Sequence, residues 1–232
     1  MKTLGLIGGT SWESTIDYYR LLNQGVRTRA GGYSSCRILL SSVDFAEFVP
    51  FLHAGDWAGL GARLAAEARM LEQAGAQAIV LCTNTMHKVA PAIQAATSLP
   101  FLDIRNACGH AIVAQGLKRP LLLSTRYVME DPFYADYLAK HFRLAPIVPS
   151  PEDQLALDAI IFGELVKGIV SPASKAVYLD IIARHPHADG IIFGCTEIGM
   201  LISAGDCAVP VFNNLALHVE AALDFAFQET GS

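Results

Sequence analysis

The chain alternates short apolar runs with longer stretches in which apolar residues recur at helical spacing. The apolar runs are rich in Ile, Val and Leu and have no polar face, which is typical of parallel strands covered by helices. The alternation predicts an α/β fold with mostly parallel sheets. We predict strands at residues 3–7, 37–42, 78–81, 120–123 and 190–193, and weaker ones at 101–102, 145–148 and 210–212. We predict helices at residues 14–30, 57–74, 152–167, 171–184 and 214–227.

Each half of the chain contains a similar segment. Residues 78–83 read Ala-Ile-Val-Leu-Cys-Thr, and residues 190–196 read Gly-Ile-Ile-Phe-Gly-Cys-Thr. Both predict a buried strand that ends in Cys-Thr before a helix. We therefore predict two similar parallel-sheet α/β domains related by pseudo-symmetry, with an active site in the cleft between them. The predicted domains are residues 1–98 with 209–232, and residues 99–208.

Composition excludes several classes of protein. The 232 residues are 52% hydrophobic and 17% charged, which argues against a disordered chain. A formal net charge of −5 and the absence of a Lys/Arg cluster argue against nucleic acid or an anionic membrane as partner. No apolar run approaches the ~20 residues needed to span a bilayer.

The pattern of the five cysteines argues against cross-linking. Their number is odd and no pair has CxxC spacing, so we expect neither a disulfide framework nor a zinc ribbon. A reducing cytoplasm fits this pattern best. We interpret Cys36, Cys108 and Cys207 as small buried apolar residues.

Cys82 and Cys195 are the candidate catalytic residues. Both follow a predicted strand at its carboxyl end, where ligands bind in open α/β sheets. We expect the positive end of the following helix to lower each thiol pKa towards the reactive thiolate. Two such groups on opposite faces of a carbon could remove and return a proton. A metal site that joins both cysteines to His87 lacks any local ligand spacing, so we expect no metal.

Polar residues near these positions are candidate substrate ligands. Thr83, Asn84 and Thr85 directly follow the first cysteine, although one such residue could serve only as a helix cap. Arg126 follows another predicted strand, and arginine binds carboxylates through two hydrogen bonds.

Several stretches, in the same order along the chain, resemble sequences of the aspartate/glutamate racemase family. The resemblance covers nearly the whole chain. The residues that carry it are 5–15 (GLIGGTSWEST), 82–87 (CTNTMH) and 194–198 (GCTEI), with shorter matches at 41–45, 125–126, 133–134, 161–165 and 217–218. The resemblance implies two α/β domains, a two-cysteine mechanism without a cofactor, and a homodimer. By position it implies that the substrate is lined by Thr10, Ser11, Asn84, Thr85 and Thr196, with Lys167 as a nearby basic residue.

The chain departs from the family pattern mainly at positions expected to recognise the substrate side chain. The differing residues are Asp103, Asn106, Ser124, Val128, Asn213, Asn214 and Leu215, and no arginine follows the Asp-Phe segment at 44–45. Both cysteines are present, so the departures concern the identity of the substrate.

We therefore expect an amino-acid racemase that acts on aspartate, glutamate or a related amino acid. In this interpretation Cys82 and Cys195 exchange the roles of base and acid. Two alternatives are an isomerase or decarboxylase of a dicarboxylic acid on the same scaffold, and a catalytically silent carboxylate-binding protein.

Overall fold

The computed structural model describes residues 1–228 and shows the predicted alternation of parallel strands and helices. The strands are β1 (Leu4–Gly8), β2 (Ile38–Ser42), β3 (Ala78–Leu81), β4 (Phe101–Leu102), β5 (Pro120–Leu123), β6 (Gly190–Phe193) and β7 (Val211–Asn213). The α-helices are α1 (Trp12–Ala30), α2 (Val49–Ala54), α3 (Trp57–Gln73), α4 (Ala90–Ala95), α5 (Ile104–Ala114), α6 (Arg126–Glu130), α7 (Phe133–Phe142), α8 (Pro151–Gly163), α9 (Pro172–Ala183), α10 (Ile198–Leu201) and α11 (Asn214–Phe227). Short 3-10 helices occur at Phe45–Glu47, Thr85–Val89, Leu165–Lys167 and Ala204–Asp206.

Most predicted elements are confirmed within one or two residues, and two differ for clear reasons. The weak strand at 145–148 is reduced to a single parallel bridge between Ile147 and Leu121. Pro146 and Pro149 flank Ile147, and they have no N–H to extend the ladder. The predicted helix at 152–167 ends earlier, at Gly163, and continues as the 3-10 helix Leu165–Lys167.

The chain divides into two compact units, residues 1–103 with 218–232 and residues 104–217. The bounds of these units differ from those of the predicted domains, because the weak strand β4 groups with the first unit and β7 with the second. The predicted division into two domains, with the bounds given above, stays a prediction. No helix within residues 1–228 is both long and apolar enough to cross a membrane.

The first unit contains a four-stranded parallel sheet in the order β2-β1-β3-β4. Strands β1 and β3 are buried at every position, since helices cover both faces of the sheet. The pairing aligns Leu4 with Ala78 and Ile7 with Leu81, so the two strands end together. The loops after β1 and β3 therefore leave the same edge of the sheet.

The second unit contains a three-stranded parallel sheet in the order β5-β6-β7. Strands β5 and β6 pair from Pro120 and Gly190 to Leu123 and Phe193, and both are fully buried. Their carboxyl ends again coincide, which places the loops after β5 and β6 side by side.

His218 on α11 connects three elements of the first unit. Its Nε2–H donates to the carbonyl of Leu102 at the end of β4, with an Nε2–O distance of 2.6 Å. Its Nδ1 therefore accepts the hydroxyl proton of Tyr18 on α1, with an N–O distance of 2.8 Å. The ring is completely buried, and burial lowers its pKa from 6.5 to about 4, although the Leu102 carbonyl and Asp103 act in the opposite direction.

The neutral state of His218 makes stability depend on pH. The unfolded chain binds a proton at this residue below pH 6.5, whereas the folded chain does so only below about pH 4. The stabilisation is therefore present above pH 6.5 and is lost as the pH falls towards 4. We predict that this residue alone lowers the free energy of unfolding by about 3 kcal/mol across that interval.

Urea unfolding at a series of pH values measures this dependence. The variant His218→Gln should show a flatter slope between pH 6.5 and 4 than the parent protein. The variant His141→Gln, which removes an exposed histidine of α7, should keep the parent slope. Equal slopes in the parent and in His218→Gln would show that the buried histidine is not the source.

Candidate active site

The loop after β1 forms one side of the candidate site in the first unit. Gly9 has a φ of 90°, and a Cβ atom at this position would collide with the backbone of Val43, so glycine is required here. The Gly9 N–H donates to Thr15 Oγ1 at 2.9 Å, and the Thr15 hydroxyl donates to the Ser11 carbonyl at 2.9 Å. These bonds fix the turn that leads into α1.

Ser11 caps the 19-residue helix α1. Its Oγ accepts the backbone N–H of Ser14, with an O–N distance of 3.2 Å. Thr10 precedes it and is mostly buried. The turn thus presents hydroxyl groups at the positive end of a long helix, where a carboxylate is favoured.

The loop after β3 lies at the same sheet edge. Its first residue, Cys82, donates its backbone N–H to the Ile7 carbonyl at 2.9 Å. The Cys82 side chain is only 1% exposed, and its Sγ lies 4.0 Å from the Val80 carbonyl oxygen within the same strand region. Thr83 and Thr85 are half-buried and Asn84 is buried. The fold therefore brings Thr10, Ser11, Thr83, Asn84 and Thr85 to one edge of the first sheet.

His87, which follows the same loop, is completely buried. Its Nδ1–H donates to the carbonyl oxygen of Thr83, with an N–O distance of 2.6 Å. Its Nε2 lies 4.0 Å from Asp103 Oδ1. His87 thus holds the backbone of the loop at Thr83.

Cys195 lies in the second unit, in the loop after β6, and is 7% exposed. Its thiol donates to Glu197, with an Sγ–Oε2 distance of 3.0 Å. The Thr196 hydroxyl donates to the same carboxylate oxygen at 2.7 Å. Glu197 lies within the motif at residues 194–198, and no role was predicted for it. Its position two residues after a candidate nucleophile is the sequence feature that could have indicated a role.

The expectation of lowered thiol pKa values is wrong for both cysteines. Burial raises the pKa of Cys82, and burial raises that of Cys195 well above its ordinary value, with a further increase from the carboxylates of Glu197 and Asp158. The helices that follow are also short: a 3-10 helix at Thr85–Val89 and the four-residue α10. Short helices supply little dipole, and buried thiols remain protonated.

The backbone shows which positions of the two units are equivalent. Cys82 is the first residue after β3, and it donates its N–H to Ile7, the last residue of β1 that pairs with β3. Gly194 is the first residue after β6, and it donates its N–H to Leu123, the last paired residue of β5. Cys82 therefore corresponds to Gly194, and Thr83 corresponds to Cys195. The sequence comparison aligned the two Cys-Thr pairs directly and so was displaced by one residue; that Cys82 is catalytic stays a prediction.

The predicted basic residues come from elements other than the loop that carries Cys195. Arg126 begins α6, its backbone N–H donates to Asp158 Oδ1 at 2.8 Å, and its half-exposed guanidinium lies 3.6 Å from Glu130. Lys167 is exposed at the end of its 3-10 helix, which packs against α10. Neither residue contributes to the raised pKa of Cys195.

No cluster of three or more metal-ligating side chains occurs in the part of the chain that the structure describes. All five cysteines are free.

Known proteins share this architecture. The sequence profile of the Asp/Glu/Hydantoin racemase family matches residues 7–222. A protein of Yersinia pestis assigned to the Asp/Glu racemases is 47% identical, with a TM-score of 0.92 over 98% of this chain and 100% of that one. An aspartate racemase homologue of Pyrococcus horikoshii is 32% identical, with a TM-score of 0.86 over 98% of this chain and 100% of that one. A glutamate racemase of Francisella tularensis in complex with D-glutamate shares the fold at 13% identity, with a TM-score of 0.68 over 100% of this chain and 84% of that one.

The fold and the matches define an isomerase of the racemase class. The chain belongs to the Asp/Glu/Hydantoin racemase family. The alternative of a catalytically silent binding protein is therefore set aside.

Proposed function

We propose that this protein racemises aspartate, glutamate or a related amino acid without a bound cofactor. The observation that carries the proposal is the buried pair of Cys195 and Glu197 at the carboxyl end of β6. A thiol in direct contact with a carboxylate has a proton acceptor at hand, which general acid–base chemistry requires. The family and its aspartate and glutamate members support the choice of substrate class.

The Cys195–Glu197 pair offers a way to form a thiolate in a site that disfavours added charge. When the thiol proton moves to Glu197 Oε2 along the 3.0 Å hydrogen bond, negative charge moves from oxygen to sulfur and the net charge is unchanged. The thiolate then removes the α-proton of the substrate. A second group returns a proton to the opposite face of the same carbon, and the configuration inverts.

The second proton-transferring group belongs to the Cys82–Thr83 corner. The backbone register pairs Thr83, rather than Cys82, with Cys195. A thiol, however, is a far stronger acid than a threonine hydroxyl, which would have to become an alkoxide to accept a proton in the reverse direction. We therefore assign the second role to the Cys82 thiol and a hydrogen bond to the substrate to the Thr83 hydroxyl.

The remaining predicted polar residues suit the substrate carboxylate. Removal of the α-proton spreads negative charge onto this group, so donors that face it lower the barrier. Thr10 and Ser11 at the start of α1, with Asn84 and Thr85 after β3, supply such donors on one sheet edge. Thr196 already donates to Glu197, so we assign it to that carboxylate instead.

Arg126 and Lys167 are the basic residues that we assign to the second carboxylate of an acidic substrate. Arg126 is held at its backbone by Asp158, while its guanidinium has only a distant partner in Glu130. An arginine in this state can exchange a weak surface ion pair for a carboxylate ligand bound through two hydrogen bonds.

One observation favours a decarboxylase as second candidate. If Thr83 is the true counterpart of Cys195, the two equivalent positions hold a single thiol. One thiol is sufficient to protonate a carbanion that forms by loss of carbon dioxide from a malonate-type acid. Release of carbon dioxide from such acids, with no inversion of any amino acid, would select this alternative.

Alanine variants test the proposed assignments. We predict that Cys195→Ala lowers kcat/KM for racemisation by at least about 100-fold, because it removes one of two proton-transferring groups. Cys82→Ala should cause a loss of similar size, because it removes the other group, while Thr83→Ala, which leaves both thiols in place, should cost no more than about tenfold. Chiral chromatography of a panel of L- and D-amino acids, each supplied alone, measures these rates and identifies the substrate.

Cys207→Ala, which removes a partly buried thiol of the second unit, is the matched control and should keep the parent rate. Parent activity in Cys82→Ala together with loss of activity in Thr83→Ala would transfer the second role from Cys82 to Thr83. Full activity in Cys195→Ala would contradict the mechanism altogether.

We further propose that the protein is a homodimer. Trp12, Ile16 and Tyr19 follow one another along α1 at helical spacing, and each is more than half exposed. A contiguous apolar stripe of this kind marks an interaction surface, and closed two-fold dimers are the commonest assemblies of identical chains. The sequence resemblance implies the same state.

Light scattering during size-exclusion chromatography measures the mass. We predict a dimer for the parent protein and a monomer for Ile16→Glu, because a carboxylate in an apolar interface is left without hydration. Met70→Glu, on an exposed position of α3, should remain a dimer. A monomeric parent protein, or a dimeric Ile16→Glu, would exclude this interface.

A further inference from the structure

Tyr178 on α9 has a buried hydroxyl without a hydrogen-bond partner. Its ring packs in the apolar core of the second unit among Leu157, Ile161, Cys195 and Ile198. The Oη atom is enclosed with the ring and neither donates nor accepts a hydrogen bond. A buried donor without an acceptor destabilises the folded chain, so the presence of a hydroxyl at this position needs an explanation.

The groups that act on this hydroxyl are acidic. Electrostatic effects on this hydroxyl come from Cys195 and Glu197 in the loop after β6 and from Asp158 on α8. Burial and these three groups raise the pKa of Tyr178 well above its usual range, so the hydroxyl keeps its proton. Within this environment Tyr178 is able to act only as a hydrogen-bond donor towards negative charge.

Both carboxylates are already engaged by other donors. Oε2 of Glu197 accepts the Cys195 thiol and the Thr196 hydroxyl, and Oδ1 of Asp158 accepts the Arg126 N–H. The group that gains negative charge during the proposed reaction is the sulfur of Cys195. An acceptor for the Tyr178 hydroxyl therefore appears when this thiol loses its proton.

We propose that Tyr178 is a positioning residue for Cys195, whose hydroxyl donates towards the thiolate that forms there, directly or through one buried water molecule. In the resting state the thiol proton lies on the Glu197 side, and the hydroxyl has no acceptor. After the proton moves to Glu197, the sulfur carries the charge and the hydroxyl stabilises it. The inference rests on the proposed role of Cys195 in proton transfer.

A purely structural role makes a different prediction. The ring alone accounts for the packing of Tyr178 in the core, and the hydroxyl contributes no hydrogen bond to the fold. Phenylalanine would therefore serve the fold equally well or better. If the hydroxyl has no function, Tyr178→Phe should leave both the reactivity of Cys195 and turnover unchanged.

The reactivity of Cys195 towards iodoacetamide tests the proposal without any need for turnover. Because only the thiolate reacts, the alkylation rate at about pH 8.5, measured on the Cys195 peptide by mass spectrometry, reports the thiolate fraction. We predict that Tyr178→Phe slows this reaction by roughly tenfold, equivalent to a rise of about one unit in the thiol pKa. Its kcat should fall by a similar factor with little change in KM, and its melting temperature should not fall.

Tyr134→Phe is the matched control in the same unit. Tyr134 is equally buried, but its hydroxyl accepts the amide N–H of Asn214 at 2.6 Å. This variant should lose stability and keep the parent rate of Cys195 alkylation. An unchanged or faster alkylation of Cys195 in Tyr178→Phe would overturn the proposal.

The two readouts separate this inference from the proposed function. If alkylation slows in Tyr178→Phe but the parent protein racemises no amino acid, the positioning role stands and the assigned reaction is wrong. If the parent protein racemises its substrate and alkylation is unaffected, the reaction stands and the role of Tyr178 is refuted.

Discussion

The hydrogen-bonded register between neighbouring parallel strands determines what the candidate site can be. In each unit two buried strands end together, and the first residue beyond one strand donates its N–H to the last paired residue of the other. These bonds fix the direction of the chain at the point where it leaves the sheet. The side chain that follows, Thr83 in one unit and Cys195 in the other, takes its position from the same backbone geometry.

Burial at this edge controls the chemistry. A thiol enclosed by apolar side chains and adjacent to Glu197 and Asp158 strongly resists ionisation, so a freely formed thiolate at Cys195 is unfavourable. In the proposed mechanism, transfer of the thiol proton to Glu197 avoids any gain of charge within the unit, and the Tyr178 hydroxyl donates to the sulfur after the transfer. The thiolate would then form during the reaction and not in the resting protein.

The sequence predicted the architecture well because buried parallel strands have a simple signature. Residues 78–81, 120–123 and 190–193 coincide with β3, β5 and β6, since runs of Ile, Val and Leu have few other places in a fold of this kind. The helices α5 and α7 were missed, although both are ten residues or longer. The weak strand at 145–148 failed because two prolines remove ladder donors.

The site was harder to predict than the fold. Hydrogen bonds between strands show which residues occupy equivalent positions in the two units. The comparison of short motifs matched the two Cys-Thr pairs by residue type, and so it paired Cys82 with Cys195. The thiol pKa values also depended on three-dimensional surroundings that no spacing encodes. A role for Glu197 could have been predicted from the sequence because it lies two residues after Cys195. A role for Tyr178 could not, since it lies on a helix distant in sequence and its local sequence is that of an ordinary core residue.

In the proposed mechanism two groups act on opposite faces of one carbon, and Cys195 is one of them. Racemisation of a single enantiomer in deuterium oxide, followed by mass spectrometry of both enantiomers at low conversion, tests this mechanism most directly. We expect the inverted product to carry deuterium at its α-carbon while the unreacted enantiomer retains its proton. Deuterium that enters the unreacted enantiomer as fast as the product would show that a single exchanging group serves both faces, and would exclude the two-group mechanism.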